Sequence, residues 1–199
     1  MALALSPSAA EPIGPGALVA VCGPSGAGKD SLLRRVQEMN GAAARIVFPR
    51  RIVTRPSSPF EEHDTATEEQ FDRQLSSGGF AFWWSAHGLK YALPSSIDDD
   101  IRRGRCVVCN VSRTVVPELR SRYARVVAVL ITAPHEILAA RLAARARATD
   151  GALSDRVARS ADIGKTLDAD IVIDNTGSVD EGARRLQRAI ESQFVVISF

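Results

Sequence analysis

The chain has 199 residues, 45% of them apolar, which suffices for one full hydrophobic core with a small insert but hardly for two independent domains. Its 25 basic and 23 acidic residues leave a formal charge of +2, so no global field gathers nucleic acid and any basic site must be local. No apolar stretch reaches the ~18 residues of a membrane span, the start lacks the basic segment of a signal peptide, and an odd number of cysteines argues against a secreted disulfide framework. A cytoplasmic protein is expected.

Residues 1–16, rich in Ala, Pro and Ser, read as a flexible extension, and residues 17–199 as a single domain. Ala17 to Cys22 is a short apolar run, a predicted strand feeding the glycine-rich Gly23-Pro24-Ser25-Gly26-Ala27-Gly28, and the spacing from Ser31 to Val36 predicts a helix. A second strand is predicted over Arg45 to Phe48, then an irregular Arg/Pro/Ser segment through Asp64. Thr67, three residues before Gln70, predicts a capping box opening a helix to about Leu75, stopped at Gly78-Gly79. Phe80 to Ser85 and Leu89 to Ala92 predict a hairpin turning at His87-Gly88, and Ile97 to Arg103 a helix ended by Gly104.

Beyond it the predicted elements alternate: strand Cys106 to Val111, helix Thr114 to Arg122, strand Arg125 to Thr132, helix Pro134 to Arg147. Helix Ser154 to Ile163, strand Ile171 to Ile173, a turn at Asn175-Thr176-Gly177 and helix Val179 to Gln193 complete the chain. Apolar runs alternating with amphipathic helices imply parallel strands covered on both faces, an α/β class in three layers. Cys22, Cys106 and Cys109 sit in or beside such runs and read as small core residues; the CxxC of the last two has no second pair for a metal. Phe48 and Phe71 read as core. If Phe80 to Ser85 is a strand, Trp83 and Trp84 point to opposite faces, one into the core and the other free to wall a pocket.

Gly23 to Lys29 fits G-x-x-x-x-G-K between a predicted strand and a predicted helix. Glycines let the backbone present consecutive N–H groups to phosphates, the helix adds its positive N-terminal dipole, and Lys29 can reach the β- and γ-phosphoryl oxygens. The competing reading is an ordinary glycine turn. Where a Ser or Thr usually follows the lysine to hold Mg²⁺, Asp30 stands here, with Ser31 next, and either could supply the metal oxygen.

These motifs, with Leu32-Leu33, Thr54-Arg55-Pro56, Gly88 with Tyr91, Arg141-Leu142 with Arg145, and Arg156, resemble the guanylate kinase family in order and spacing from Ala17 to the last helix. The resemblance implies a P-loop fold with helices on both faces of a parallel sheet, an acceptor-binding insert at about residues 50–93 and a helical lid at about 141–160. Departures argue against GMP as acceptor. Ser58 stands at the second arginine of the family's TRxxR stretch, Phe82 at the guanine-reading glutamate, and Asn110 and Ser112 at two acidic positions. Guanine N1–H and N2–H₂ need a carboxylate, and a site without one rejects that ligand.

The remaining pattern is similar to the ribose 1,5-bisphosphate phosphokinase family, guanylate-kinase-like enzymes of phosphonate breakdown that make phosphoribosyl pyrophosphate. It rests on Lys29-Asp30-Ser31, Ile52-Val53-Thr54-Arg55, Glu62 and His63, Trp84-Ser85-Ala86-His87-Gly88-Leu89 with Tyr91, and Asn110-Val111-Ser112-Arg113. It implies an ATP- and Mg²⁺-dependent kinase acting on a small phosphorylated sugar, as monomer or homodimer. The implied ATP site is Gly23, Pro24, Ser25, Gly26, Ala27, Gly28, Lys29, Asp30 and Ser31, with Asp30 and Ser31 as metal ligands. Lys29, Arg145 and Arg156 are the implied catalytic residues, with Arg141 a further lid candidate. Arg51, Thr54, Arg55, His63, His87 and Tyr91 are the implied acceptor residues. Competing readings remain: a solvated helix face for the run from Arg141 to Arg147, a surface ion pair for Arg55, and polar loop residues for the two histidines. As a whole, the alternatives are a nucleoside monophosphate kinase, or an inactive guanylate-kinase-like binding module.

Overall fold

The computed structural model describes residues 11–41, 45–57, 63–86, 88–149 and 168–194. The elements in chain order are β1 (Ala17–Cys22), α1 (Lys29–Asn40), β2 (Ile46–Val47), β3 (Ile52–Val53), β4 (Asp64–Thr65), α2 (Glu68–Ser76), β5 (Phe80–Ala86) and β6 (Leu89–Pro94). They continue with α3 (Ser96–Arg102), β7 (Cys106–Asn110), α4 (Val116–Arg122), β8 (Val126–Thr132), α5 (His135–Thr149), β9 (Ile171–Asp174) and α6 (Val179–Glu191). The alternation of buried strands and helices read from the sequence is present. The predicted helix from Ser154 to Ile163 lies outside the described residues.

Among the described residues a five-stranded sheet has the order β2-β7-β1-β8-β9, with β2 parallel to β7 and β8 parallel to β9. All six residues of β1 and all five of β7 are buried, which is why these runs carry no polar alternation. The chain divides into two compact units.

One unit holds Met1–Val19, Ala42–Asn110 and Val115–Val126. Its own sheet has the order β4-β3-β6-β5, with β3 parallel to β4 and antiparallel to β6, and β5 antiparallel to β6. On one face Ile52, Ala92 and Trp83 are register partners or neighbours and pack with Phe71 of α2, Ala66 and Phe80. The capping box that starts α2 is present: Gln70 N–H donates to Thr67 Oγ1, and Thr67 N–H donates to Gln70 Oε1. Asp98, buried on α3, accepts from Arg122 and from Tyr123, so its charge is matched. Ile13 and Gly16, assigned from the sequence to an extension, are hydrogen-bonded: Ile13 N–H to Arg122 O at 2.9 Å and Gly16 N–H to Ile101 O at 2.9 Å.

The other unit holds Ala20–Gly41, Val111–Thr114 and Val127–Phe199. Here α1 packs on α6, burying Leu32 and Val36, and the glycine at 182 lets the helices close, since a Cβ there would stand 2.8 Å from Leu32 Cδ2. The opening of α6 carries a second capping box, Ser178 with Glu181.

Two readings change. The segment expected to be irregular through Asp64 contains β3 and the start of β4, each two residues long, too short to show a period. Phe48, expected in the core, is only half-buried, as are Ile46 and Val47 of β2, the end strand of its sheet.

Candidate active site

The phosphate loop leaves β1 at Cys22 and enters α1 at Lys29. Gly23 has φ 148°, and a Cβ on it would stand 2.3 Å from Ile131 O, so only glycine lets the loop pass the end of β8. Gly28 is the N-cap of α1 in the left-handed region, φ 90°, where a Cβ would meet Asn175 Nδ2 at 2.6 Å. No side chain caps this helix, so its first-turn amides keep their anion-binding character. The Lys29 ammonium donates to Gly23 O at 2.8 Å and Pro24 O at 2.9 Å, which ties the loop closed and keeps the charge at its mouth. Asp30 and Ser31 follow in the first turn, both half-buried.

Burial pushes the Cys22 thiol up to about 12, against the lowering influence of the positive charges on Lys29 and Arg113. Cys22 is therefore a neutral packing residue at the foot of the loop. Cys106 is pushed up to about 12 by the same cause, and Cys109 is buried and unbridged. Among the described residues no cluster of three or more His, Cys, Asp or Glu could hold a metal. The oxygens of Asp30 and Ser31 nevertheless suit Mg²⁺, which takes one or two protein oxygens and completes its shell from phosphates and water.

Two residues outside the motif join this site. Asn175, expected as part of a turn, is buried and donates from Nδ2 to Ala27 O at 2.7 Å. Arg141 on α5 donates from Nη2 to Asn175 O at 2.9 Å, and its buried Nη1 has no hydrogen-bond partner. The signal for Asn175 in the sequence is slight: a polar side chain directly after a short apolar strand. Arg145 lies on α5, but its side chain is outside the described residues, as is all of Arg156.

In the other unit the four-stranded sheet gathers the expected acceptor residues. Arg51, Thr54 and Arg55 flank β3, and Tyr91 on β6 is the register partner of Val53 and of Trp84. Phe82, Trp84, Tyr91, Leu93 and Val53 thus share the face opposite the Phe71 cluster. Trp84 stacks on Tyr91 with centroids 5.4 Å apart and is the buried tryptophan, 3% exposed, while Trp83 is half-buried against the Phe71 cluster on the opposite face. No carboxylate belongs to this row. Thr54 Oγ1 accepts the Lys90 N–H at 2.9 Å, so part of its capacity serves the sheet. His63 is buried, 2% exposed, with Nδ1 3.4 Å from Asp64 O, and Arg50 donates to its carbonyl. His87 lies outside the described residues. Asn110 is buried at the end of β7, and Ser112 Oγ contacts Thr114 Oγ1 at 2.9 Å, so neither position supplies an acid.

Comparison with known proteins fits this geometry. The family model described as AAA domain matches residues 19–162. The chain is 51% identical to ribose 1,5-bisphosphate phosphokinase PhnN of Bradyrhizobium diazoefficiens over 91% of both chains. It is 51% identical to the protein of that name in Rhodopseudomonas palustris, over 89% of this chain and 90% of the relative. Guanylate kinase from Anaplasma phagocytophilum shares the fold, with a TM-score of 0.66 at 19% identity over 89% of this chain and 86% of that one. With half of its residues identical to these relatives across nearly their whole length, the chain belongs to the ribose 1,5-bisphosphate phosphokinase family.

Proposed function

We propose that the chain transfers the γ-phosphoryl group of ATP to the 1-phosphate of ribose 1,5-bisphosphate, giving ADP and 5-phospho-α-D-ribose 1-diphosphate. The observation that carries this reading is the phosphate loop: a left-handed Gly28 opening an uncapped α1, with the Lys29 ammonium at the loop mouth. A phosphate oxygen of the acceptor attacks the γ-phosphorus, the bond to the β,γ-bridging oxygen breaks, and ADP leaves with that electron pair. A phosphate monoester has a second pKa of about 6, so the attacking oxygen is already anionic near neutral pH and needs no general base. The residue at the end of β7, Asn110, is accordingly no acid.

What the protein supplies is charge neutralisation and alignment of two polyanions. The amides of the loop and of the first turn of α1 receive the phosphates of ATP, and Lys29 turns from Gly23 O and Pro24 O to their oxygens. Asp30 and Ser31 would hold Mg²⁺, which would screen the charge of the triphosphate. Arg145 and Arg156 are assigned to the γ-phosphoryl group in flight, and Arg51, Thr54, Arg55, His63, His87 and Tyr91 to the phosphorylated sugar. Replacing the base-reading acids by Phe82, Asn110 and Ser112 favours a sugar over a purine, which leaves the nucleoside monophosphate kinase reading without its chemical basis. No described helix is long and apolar enough to cross a membrane, and the buried, unbridged cysteines suit a cytoplasmic setting.

The test is a ³¹P NMR record of the purified chain with Mg²⁺, ATP and ribose 1,5-bisphosphate. Signals of a sugar 1-diphosphate growing in step with ADP are expected. ATP consumed without that product, or no transfer at all, would refute the assignment.

A further inference from the structure

Asn175 follows β9 and is 4% exposed, yet it is polar and engaged on every side. Its backbone N–H donates to Thr132 O at 2.8 Å, at the end of β8, and its carbonyl accepts from Arg141 Nη2 at 2.9 Å, on α5. Its side-chain Nδ2 donates to Ala27 O at 2.7 Å, inside the phosphate loop. Its Oδ1 lies against α6, where a Cβ on Gly182 would come within 2.7 Å. A turn after a last strand needs none of this, since an exposed Asn would serve it as well.

The bond to Ala27 O has a directional consequence. The peptide joining residues 27 and 28 is planar and trans, so its carbonyl and its N–H point to opposite sides. Fixing the Ala27 carbonyl toward Asn175 turns the Gly28 N–H the other way, and the left-handed conformation of Gly28 then carries the chain into α1. Asn175 acts on Arg141 as well. Its carbonyl holds one arm of the guanidinium, while Nη1, buried and without a hydrogen-bond partner, stands 4.0 Å from the position a Gly28 Cβ would take. A buried guanidinium N–H left unmatched beside a phosphate loop has the character of a donor reserved for an anion.

We infer that Asn175 is a positioning residue for phosphoryl transfer, whose amide sets the Ala27–Gly28 peptide and whose carbonyl aims Arg141 beside it, so that both face the nucleotide. This rests on the ATP reading above. Asn175 touches no reacting atom itself. Its loss should appear in nucleotide binding and in kcat, and leave the acceptor KM alone.

The experiment compares wild type, Asn175→Ala and Asn175→Asp by calorimetric titration with Mg²⁺ and a non-hydrolysable ATP analogue, alongside steady-state kinetics and thermal melting. Asn175→Asp keeps the size but at neutral pH cannot donate to Ala27 O, and it sets a negative charge near the triphosphate. Expected are an analogue affinity about 10-fold weaker in Asn175→Ala, weaker again in Asn175→Asp, and an acceptor KM within about twofold of wild type in both. Affinity for the analogue within twofold of wild type in both variants overturns the inference while leaving the reaction intact. So does a parallel rise of the ATP and acceptor KM values with loss of the folded state, which would make Asn175 a packing residue only. A wild-type chain that does not bind the analogue overturns both.

Discussion

Replacing Lys29 by alanine separates two roles that the loop geometry combines. The ammonium donates to Gly23 O at 2.8 Å and to Pro24 O at 2.9 Å. Hydrogen bonds to a charged group contribute about 1.5–3 kcal/mol each. Lys29 is half-buried, so water takes over part of the loss, and a net destabilisation of about 2 kcal/mol follows. For a chain of this length that lowers the melting temperature by about 4–8 °C, well short of unfolding at 25 °C. With the proposed role of Lys29 the effect on transfer is larger, because its charge would then act where the γ-phosphoryl group develops its transition state. Removing a positioned cation of this kind costs about 10³-fold or more, about 4 kcal/mol of barrier. The assay is single-turnover consumption of ATP by Lys29→Ala and by Lys29→Met, which restores the stem without the charge, with thermal melting in parallel. Both should be folded and nearly inactive. Wild-type turnover by either folded variant would refute the phosphate-loop assignment.

Arg55→Ala should raise the acceptor KM about 10-fold while leaving the ATP KM within twofold, because a clamp on a ground-state phosphate acts on binding; an unchanged acceptor KM removes Arg55 from the site. The Cys22 and Cys106 thiols stand at about 12 in the folded chain against an ordinary value of 9.0. Their raised values favour the folded state fully below about pH 9, and that contribution is lost as pH rises from about 9 toward 12. Chemical denaturation between pH 8 and 11 should therefore show falling stability, and a flat profile would contradict the buried thiols. Phe71→Ala removes the centre of the cluster formed with Phe80, Trp83 and Ala92 and should cost about 3–5 kcal/mol, read from urea unfolding; a loss below about 1 kcal/mol would contradict that packing.

What could be read from the sequence was whatever carries a local period or a local rule. The strand, loop and helix around Lys29, the capping box at Thr67 and Gln70, and the hairpin from Phe80 to Pro94 each follow from a few adjacent residues. The two-residue strands Ile52–Val53 and Asp64–Thr65 do not, since each is defined by a partner elsewhere in the chain. Phe48 shows the same limit: its apolar character is local, but its half-burial follows from the place of β2 at the end of the sheet. Adjacent tryptophans had to point apart, yet only register with Ala92 and Tyr91 places Trp83 half-buried against the Phe71 cluster and Trp84 buried on the opposite face. In the phosphate loop the glycines and the lysine were plain. The contributions of Asn175 and Arg141 were not, because they arise from a hydrogen bond across 148 positions of sequence and from another across 34.

The central claim is that the chain phosphorylates a sugar phosphate and discriminates against a purine nucleotide. Its most direct test offers ribose 1,5-bisphosphate and GMP side by side, with ATP and Mg²⁺, and measures kcat/KM for each. With no carboxylate in the row from Phe82 to Tyr91, guanine leaves donors unpaired, and a preference for the bisphosphate of about 10³-fold or more is expected. Comparable turnover of GMP would contradict it.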